Sequence, residues 1–319
     1  MKRVHGWLGA LAVVALLLFT LPGCGGDGGG GGYSGGKGSG AKSGTSGGTK
    51  KNGTAKNGGT AKNGGSGTKS NGNGAGSTEP GFGDLTIRFV YDGDAPAQPP
   101  IVVTKDEAFC GPKMPLVETL VVDPETKGIA NVFVYLYLGS GDTPPEPHPS
   151  YAESAKDKVL LDNMGCRFEP RAGIVRVGQT LVVGNDDEVG HNTKAEFLEN
   201  RPFNETIPVG GKFEKTDLTK AERLPATISC SIHPWMSARL MVIDTPYGDV
   251  SGKDGSITIK NIPTGEWTFQ VWQESAGYIV DVSIDGETTS WRRGRLEQQI
   301  ESGDNDLGDV LIKPSAFQK

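Results

Sequence analysis

The stretch CSIHPWM, residues 230–236, places a thiol, an imidazole and a thioether within one short segment. Packing alone gives no reason to combine them, because Cys and His bring polar groups that a core does not require and Met is a flexible side chain that fills gaps. Metal binding does give a reason, since thiolate and thioether are soft ligands that select copper, and imidazole suits copper as well. Two His and one Cys with a weak axial Met form the ligand set of a blue-copper electron-transfer centre. The stretch supplies Cys230, His233 and Met236, so a second His must come from elsewhere.

The first residues of the 319-residue chain are predicted to form an export signal. Residues 1–24 have a basic start and an apolar run from Trp7 to Leu21, which is short for a membrane span. The ending LPGC resembles the lipobox of bacterial lipoproteins, which implies acylation of Cys24 and a lipid-anchored, exported protein on a membrane or cell surface. The alternative is a signal peptide with a Cys that happens to lie near its cleavage point.

Residues 25–81 are predicted to be a disordered tether. They are rich in Gly, Ser and Lys, and they contain the repeat TAKNGGTAKNGG. Such a segment has almost no apolar surface to bury and therefore stays unfolded. Its Lys residues make it basic, so contact with anionic lipid or wall polymer is an alternative to a plain spacer.

The remainder of the chain is acidic. The whole chain has a formal charge of −6, and residues 1–24 and 25–78 contribute +2 and +6, which leaves about −14 on residues 79–319. This charge argues against nucleic acid as a partner, because phosphate binding requires Lys and Arg. It favours attraction of basic protein partners.

From Phe82 onward, the pattern is one of short β-rich runs. The segments LTIRFVY, VETLVVD, ANVFVYLYL, GIVRVGQTLVVGN, ATISC and RLMVID favour β-branched and aromatic residues, and several alternate with period two. They predict an all-β fold, as an antiparallel sandwich or a Greek-key barrel. Residues 150–164, SYAESAKDKVLLDNM, indicate one short helix between strands.

His191 is the predicted second histidine ligand. The chain has four His, of which His5 lies in the signal and His148 in the loop PPEPHPS. His191 follows the strand-like run QTLVVGN and precedes Cys230 by 39 residues, a separation that lets two loops meet at one end of a sandwich. A lone His after a strand is usually a surface residue, but the downstream Cys-x2-His-x2-Met pattern favours the ligand role.

On these residues, the sequence resembles the plastocyanin- and amicyanin-like cupredoxins over residues 82–244. In that family the first copper His stands in a His-Asn pair after a strand, the Cys ends the next-to-last strand, and the second His and the Met follow in a short loop. The resemblance implies one type 1 copper ion with these ligands: His191, Cys230, His233 and Met236. It also implies that Asn192 braces the ligand loop near Ser231.

The function implied by this resemblance is single-electron transfer to a redox protein such as a c-type cytochrome or a dehydrogenase. The outer edge of His233 is expected at an apolar surface where that partner docks, and Trp235 has either this role or a packing role. Two alternatives are a copper-binding or trafficking lipoprotein without fast electron transfer, and a structural surface lipoprotein without metal. An enzyme is not expected, because a copper oxidase or nitrite reductase needs a second, His-rich copper centre and only His148 remains.

The cysteine count then predicts a disulfide. With Cys24 acylated and Cys230 on copper, Cys110 and Cys166 remain as a pair, and an exported compartment permits the bond. The alternative, that these two residues belong to a second metal site, lacks a nearby His.

Residues 245–319 are predicted to form a small accessory β module. They resemble carboxypeptidase regulatory-like sandwiches, with an Asp-Gly turn followed by a Pro-x-Gly turn before an aromatic strand. The segment NIPTGEW is expected to be the turn of a hairpin. No catalysis is implied for this module.

Overall fold

The computed structural model describes residues 81–318. The predicted signal peptide, Cys24 and the tether up to residue 80 lie outside the described residues. Within them the chain is mostly β, which confirms the predicted all-β class. None of the helices in residues 81–318 has the length and apolar character that a membrane crossing requires.

The secondary structure consists of short strands with a few helical turns. In chain order, the described strands are β1 (Phe82–Tyr91), β2 (Phe133–Leu136), β3 (Lys158–Asn163), β4 (Phe168–Glu169), β5 (Ala172–Arg176), β6 (Thr180–Asn185), β7 (His191–Glu196), β8 (Phe203–Ile207), β9 (Lys212–Lys215), β10 (Ala226–Ser229), β11 (Ser237–Ile243), β12 (Gly248–Val250), β13 (Ser256–Pro263), β14 (Gly265–Gln273), β15 (Gly277–Tyr278), β16 (Asp281–Ile284), β17 (Glu287–Ser290), β18 (Arg295–Ile300) and β19 (Gly303–Ile312). The helical segments are α1 (Glu107–Cys110) and the 3-10 turns Gly111–Lys113, Pro149–Tyr151, Glu153–Lys156, Arg292–Gly294 and Pro314–Phe317.

Strands β3 to β11 form the sandwich that carries the predicted ligands. One sheet has the order β5-β11-β10-β7-β8 and the other the order β4-β3-β6-β9. The chain crosses repeatedly between the two sheets, so β3 pairs with β6 and β5 with β11 in parallel, while the remaining pairs are antiparallel. Apolar side chains of both sheets meet between them, and Phe168, Leu181 and Ile228 are fully buried there. This core fixes the strand ends from which the ligands project.

The other strands form a second pair of sheets. Their orders are β13-β1-β19-β16-β17 and β12-β2-β14-β15, with β18 also paired to β14. Strand β1 shows how sequence produces this packing, because buried and partly exposed residues alternate along it and Leu85, Ile87 and Phe89 face the core. That period of two is the spacing at which one face of a strand is covered.

The predicted division of the folded part at residue 244 does not follow these sheets. Strand β1 pairs with β13 and β19, and β2 pairs with β12 and β14, although both lie in the region expected to be cupredoxin-like. The physical reason is that β1 lies between β13 and β19 and β2 between β12 and β14, so each front strand supplies the backbone hydrogen-bond partners of two tail strands. The ligand-bearing sandwich is therefore limited to residues 158–243, and the resemblance of the tail to carboxypeptidase regulatory-like modules stays a prediction.

The expected hairpin at NIPTGEW is also wrong. Strands β13 and β14 do flank Thr264, but β13 pairs with β1 whereas β14 pairs with β2, β15 and β18. Gly265 has a φ of 136°, which other residues rarely adopt, and this geometry lets the chain pass from one sheet to the facing one.

Candidate metal centre

The sandwich brings the two predicted ligand segments together at one end. His191 is the first residue of β7, and Cys230 directly follows the last residue of β10. Because β10 pairs with both β7 and β11, the residue after β10 must lie beside the start of β7. The ligand loop closes on itself, since the Cys230 N–H donates to the Met236 carbonyl over 3.2 Å and the Met236 N–H to the His233 carbonyl over 2.9 Å.

Three ligand atoms meet in the interior. The Sγ of Cys230 and one ring nitrogen each of His191 and His233 all lie within 4.8 Å of one another. The Nδ1 atoms of the two imidazoles are 2.9 Å apart, and the Cys230 Sγ lies 3.9 Å from the Nδ1 of His233. Both His side chains are 0% exposed and Cys230 is 2% exposed. Met236 is 1% exposed and packs in the same core cluster as Cys230.

Asn192 lies where the sequence predicts a brace for the loop. Its Oδ1 accepts the N–H of Ser231 over 3.1 Å, and its Nδ2 donates to Asn204 Oδ1 over 2.7 Å and to the Glu205 carbonyl over 3.1 Å. Its backbone N–H also points at the Cys230 Sγ over 3.3 Å. One residue thus joins the start of β7, the strand beside it and the ligand loop.

Two carboxylates, which the sequence did not single out, hold the outer nitrogens of the imidazoles. Asp187 Oδ2 lies 2.9 Å from the Nε2 of His191, and Asp106 Oδ2 lies 2.8 Å from the Nε2 of His233. Asp187 stands four residues before His191, in the loop that leads into β7, a spacing that could have drawn attention to it. Asp106 lies outside the ligand-bearing sandwich and 127 residues before His233, so no local pattern could have indicated it.

The pKa shifts of the site follow from burial and from these hydrogen bonds. Burial lowers the pKa of His191, but the hydrogen bonds with Asp187 and Cys230 outweigh it, so this pKa stands above its ordinary value. Burial raises the pKa of the Cys230 thiol, yet hydrogen bonding with His191 and with the Asn192 N–H lowers it overall. Burial lowers the pKa of His233, and the hydrogen bond with Asp106 does not offset that effect. A thiol of lowered pKa favours the thiolate, which is the metal-binding form.

The donor set fits copper. An ionised carboxylate only accepts hydrogen bonds, so each Nε2 must carry its proton and each neutral imidazole turns the lone pair of its Nδ1 inward. Two such lone pairs, 2.9 Å apart beside a sulfur atom, need a shared proton or a metal ion between them. Copper selects ligands of these types: two imidazoles, a thiolate and a thioether, the last supplied by Met236 in the ligand loop.

His233 is not at the surface, contrary to the sequence-based expectation. Its side chain is 0% exposed, and Asp106 covers the edge that was expected to face a partner. Trp235 is half-buried, its indole N–H donates to the Cys166 carbonyl over 3.1 Å, and its ring centroid lies 5.2 Å from that of His233. Its observed contacts are those of a packing residue.

The predicted disulfide is confirmed. Cys110 and Cys166 are bonded over 2.03 Å, and both are fully buried. Among the described residues, Cys230 is the free cysteine. The bond joins α1 to the turn before β4, next to the candidate metal centre.

Comparisons with known proteins give structural likeness but no family. No protein-family model and no curated protein matches the sequence. A copper-containing nitrite reductase from Thermus scotoductus is 21% identical with a TM-score of 0.25, and the match covers 34% of this chain and 25% of that one. A mutant of amicyanin in its Cu(I) form is 20% identical with a TM-score of 0.24, over 27% of this chain and 81% of that one. A purple cupredoxin from Nitrosopumilus maritimus is 23% identical with a TM-score of 0.23, over 27% and 99%.

The likeness is thus confined to about a third of this chain or less, and the chain spans only a quarter of the nitrite reductase. At these identities and TM-scores it carries no argument about function.

Proposed function

We propose that this chain is an exported lipoprotein that carries single electrons through one type 1 copper ion in a cupredoxin-like sandwich. The observation that carries the proposal is the convergence of His191, Cys230 and His233, whose ligand atoms lie within 4.8 Å of one another in the protein interior. Copper held there would supply one-electron exchange between Cu(I) and Cu(II).

The residues of this chain would hold the site rigid. Cys230 supplies a thiolate and the two His supply neutral Nδ1 atoms, while Met236 is the candidate weak axial ligand. Asn192 joins the two ligand segments, and the strand ends fix where each segment begins. Ligands that move little between two oxidation states keep the reorganisation cost of electron transfer small.

The location and partners are inferred from the sequence. Acylation of Cys24 would anchor the protein to a membrane, on the periplasmic side or at the cell surface, and residues 25–81 would let the folded part reach away from it. The charge of about −14 on residues 79–319 favours a redox partner with a basic surface, such as a c-type cytochrome or a dehydrogenase. The same charge disfavours nucleic acid.

One observation favours a second function, in which the same ligands hold copper without fast electron transfer. His233 is 0% exposed and its outer nitrogen is occupied by Asp106, so a docking protein would not touch the imidazole edge directly. A protein that only holds copper does not need an exposed imidazole edge, because it does not pass electrons to a docked partner.

The test is an optical and paramagnetic-resonance spectrum of the copper-loaded exported protein. We expect one copper per chain, an intense visible band from the Cu(II)-thiolate bond and a narrow hyperfine splitting. The Cys230→Ser variant should lose the band even if copper remains bound, whereas Ser231→Ala in the same loop should keep it. Stoichiometric copper without a thiolate band would support the copper-holding function instead, and absence of copper binding would contradict both.

A further inference from the structure

Asp106 contacts the candidate metal centre on the solvent side of His233, and the chain after it is bonded to Cys166 through Cys110. We call residues 106–113 the cover segment, which comprises Asp106, α1 and the 3-10 turn Gly111–Lys113. The Asp106 side chain is 35% exposed, whereas His233, 2.8 Å from it, is 0% exposed. The carboxylate therefore stands between the imidazole and water.

One residue ties the cover segment to both halves of the site. Cys166 is bonded through sulfur to Cys110 of the cover segment. Its N–H donates to Asp187 Oδ2 over 2.8 Å, and that same oxygen holds the Nε2 of His191. Its carbonyl accepts the indole N–H of Trp235 in the ligand loop over 3.1 Å. The cover segment, the carboxylate of the first His and the loop of the second His are thus joined at a single position.

The backbone around the cover segment is held in an unusual conformation. Asp106, Met114 and Cys166 have φ angles of 49°, 47° and 57°, in the left-handed region. Residues other than Gly seldom occupy that region, although Asp and Asn enter it more readily than most. Such residues persist where the surrounding structure holds them, and they cluster at functional sites. Asp106 begins the cover segment, Met114 directly follows it, and Cys166 is its disulfide partner.

We propose that Asp106 is a positioning residue for His233 and that the cover segment closes the solvent side of the metal centre. The inference rests on the proposed copper function. By accepting the proton of Nε2, the carboxylate fixes the tautomer and the ring orientation in which Nδ1 faces Cys230 and His191. Outer-shell acceptors of this kind raise the basicity of a ligating imidazole, and their loss typically costs about 10–100-fold in metal affinity.

The cover segment also defines what can reach the site. Small anions and chelators that approach His233 from solvent would then meet the Asp106 carboxylate first. The segment does not belong to the sheets that carry the ligands, so its position depends on the Cys110–Cys166 bond and on the Asp106 contact rather than on strand pairing.

The experiment uses three variants of the full chain. Asp106→Gly removes the acceptor but suits a left-handed backbone, so the change does not add strain. Asp106→Asn keeps an acceptor oxygen and also tolerates this conformation. Glu107→Gln is the matched control, because it removes one negative charge from the adjacent, exposed residue.

Two readouts are measured on each variant. Competition with a chelator gives the Cu(II) affinity, which should fall about 10–100-fold in Asp106→Gly and stay close to wild type in the other two. Nitrogen-15 spectra of the metal-free chain report the Nε2 proton of His233, which should exchange slowly in the wild type and in Asp106→Asn and rapidly in Asp106→Gly. A merely structural role for Asp106 would change the urea midpoint without moving that proton.

The outcomes separate this proposal from the copper function. If Asp106→Gly keeps both the affinity and the slow Nε2 proton, the positioning role is wrong. If the wild type binds no copper, the proposed function fails, while the proton exchange in the metal-free chain still decides whether Asp106 holds His233.

Discussion

Replacing Asn192 with Ala should loosen the ligand loop by an amount that follows from its contacts. The side chain makes three hydrogen bonds, one to the N–H of Ser231 and two to the neighbouring strand β8. Each such bond contributes about 0.5–1.5 kcal/mol. Asn204 is exposed, so water can replace its bond, and the expected loss in the free energy of unfolding is about 2 kcal/mol. For a folded part of this size, that corresponds to a fall in Tm of about 4–8 °C.

The same substitution should alter the proposed copper site, because Asn192 is the link between the two ligand segments. We expect Cu(II) affinity to fall about 10–100-fold, as for other residues that orient metal ligands. Urea unfolding followed by tryptophan fluorescence gives the stability, and chelator competition gives the affinity. Asn204→Ala is the matched control, since it removes only the bond that water can replace. Equal stabilities and equal affinities for Asn192→Ala and this control would show that the loop is not braced through Asn192.

The remaining predictions concern the anchor, the disulfide and the axial ligand. Cys24→Ala should leave the exported protein without its acyl chain and move it from the membrane fraction to the soluble fraction, and retention on membranes at high salt would contradict the lipid anchor. Joint replacement of Cys110 and Cys166 with Ser should lower the free energy of unfolding by roughly 4 kcal/mol, because a loop with a sequence separation of 56 is no longer closed in the unfolded chain, and an unchanged urea midpoint would oppose this. Met236→Leu should keep the blue colour and raise the reduction potential, since a lost axial donor favours Cu(I). Met241→Leu, at an equally buried Met outside the site, should keep the blue colour and leave the potential unchanged. A sharp loss of Cu(I) affinity in Met236→Leu, without any blue band in the wild type, would favour copper holding.

The site was largely predictable because most of its candidate ligands lie close together in the sequence, at the spacing Cys-x2-His-x2-Met. The Cys, His and Met between residues 230 and 236 are metal-ligand types, and this distinguishes the segment from one that only packs. The His191–Asn192 pair after a strand-like run supplies the second ligand segment. The structure brings the predicted thiol and imidazoles together and makes the contact from Asn192 to Ser231. The two ligand segments meet because the start of β7 and the end of β10 lie at the same end of the sandwich.

The sheet partners were less predictable because they depend on distant residues. Strand β1 finds its neighbours in β13 and β19, more than 160 residues away, and nothing in the β1 sequence specifies them. Residues 150–164 were expected to be helical, but only short 3-10 turns form before β3. The KVLLDN run of β3 pairs in parallel with β6, and this tertiary pairing outweighs local preference. VETLVVD forms one isolated bridge, from Val122 to Ile129, instead of a strand.

The burial of His233 bears differently on the two functions proposed for the centre. Release of copper requires a ligand exchange in which water or a competing donor approaches the metal, and the Asp106 contact and the disulfide-held cover segment oppose that approach. An electron needs no such opening, because it can pass through a few ångströms of intervening protein without displacing a ligand. A closed site with its imidazoles fixed by Asp106 and Asp187 therefore suits an electron carrier or a long-term copper store better than a protein that hands copper on. Slow loss of copper to a chelator together with fast oxidation by a small soluble oxidant would assign the carrier role. Slow rates for both would assign the store.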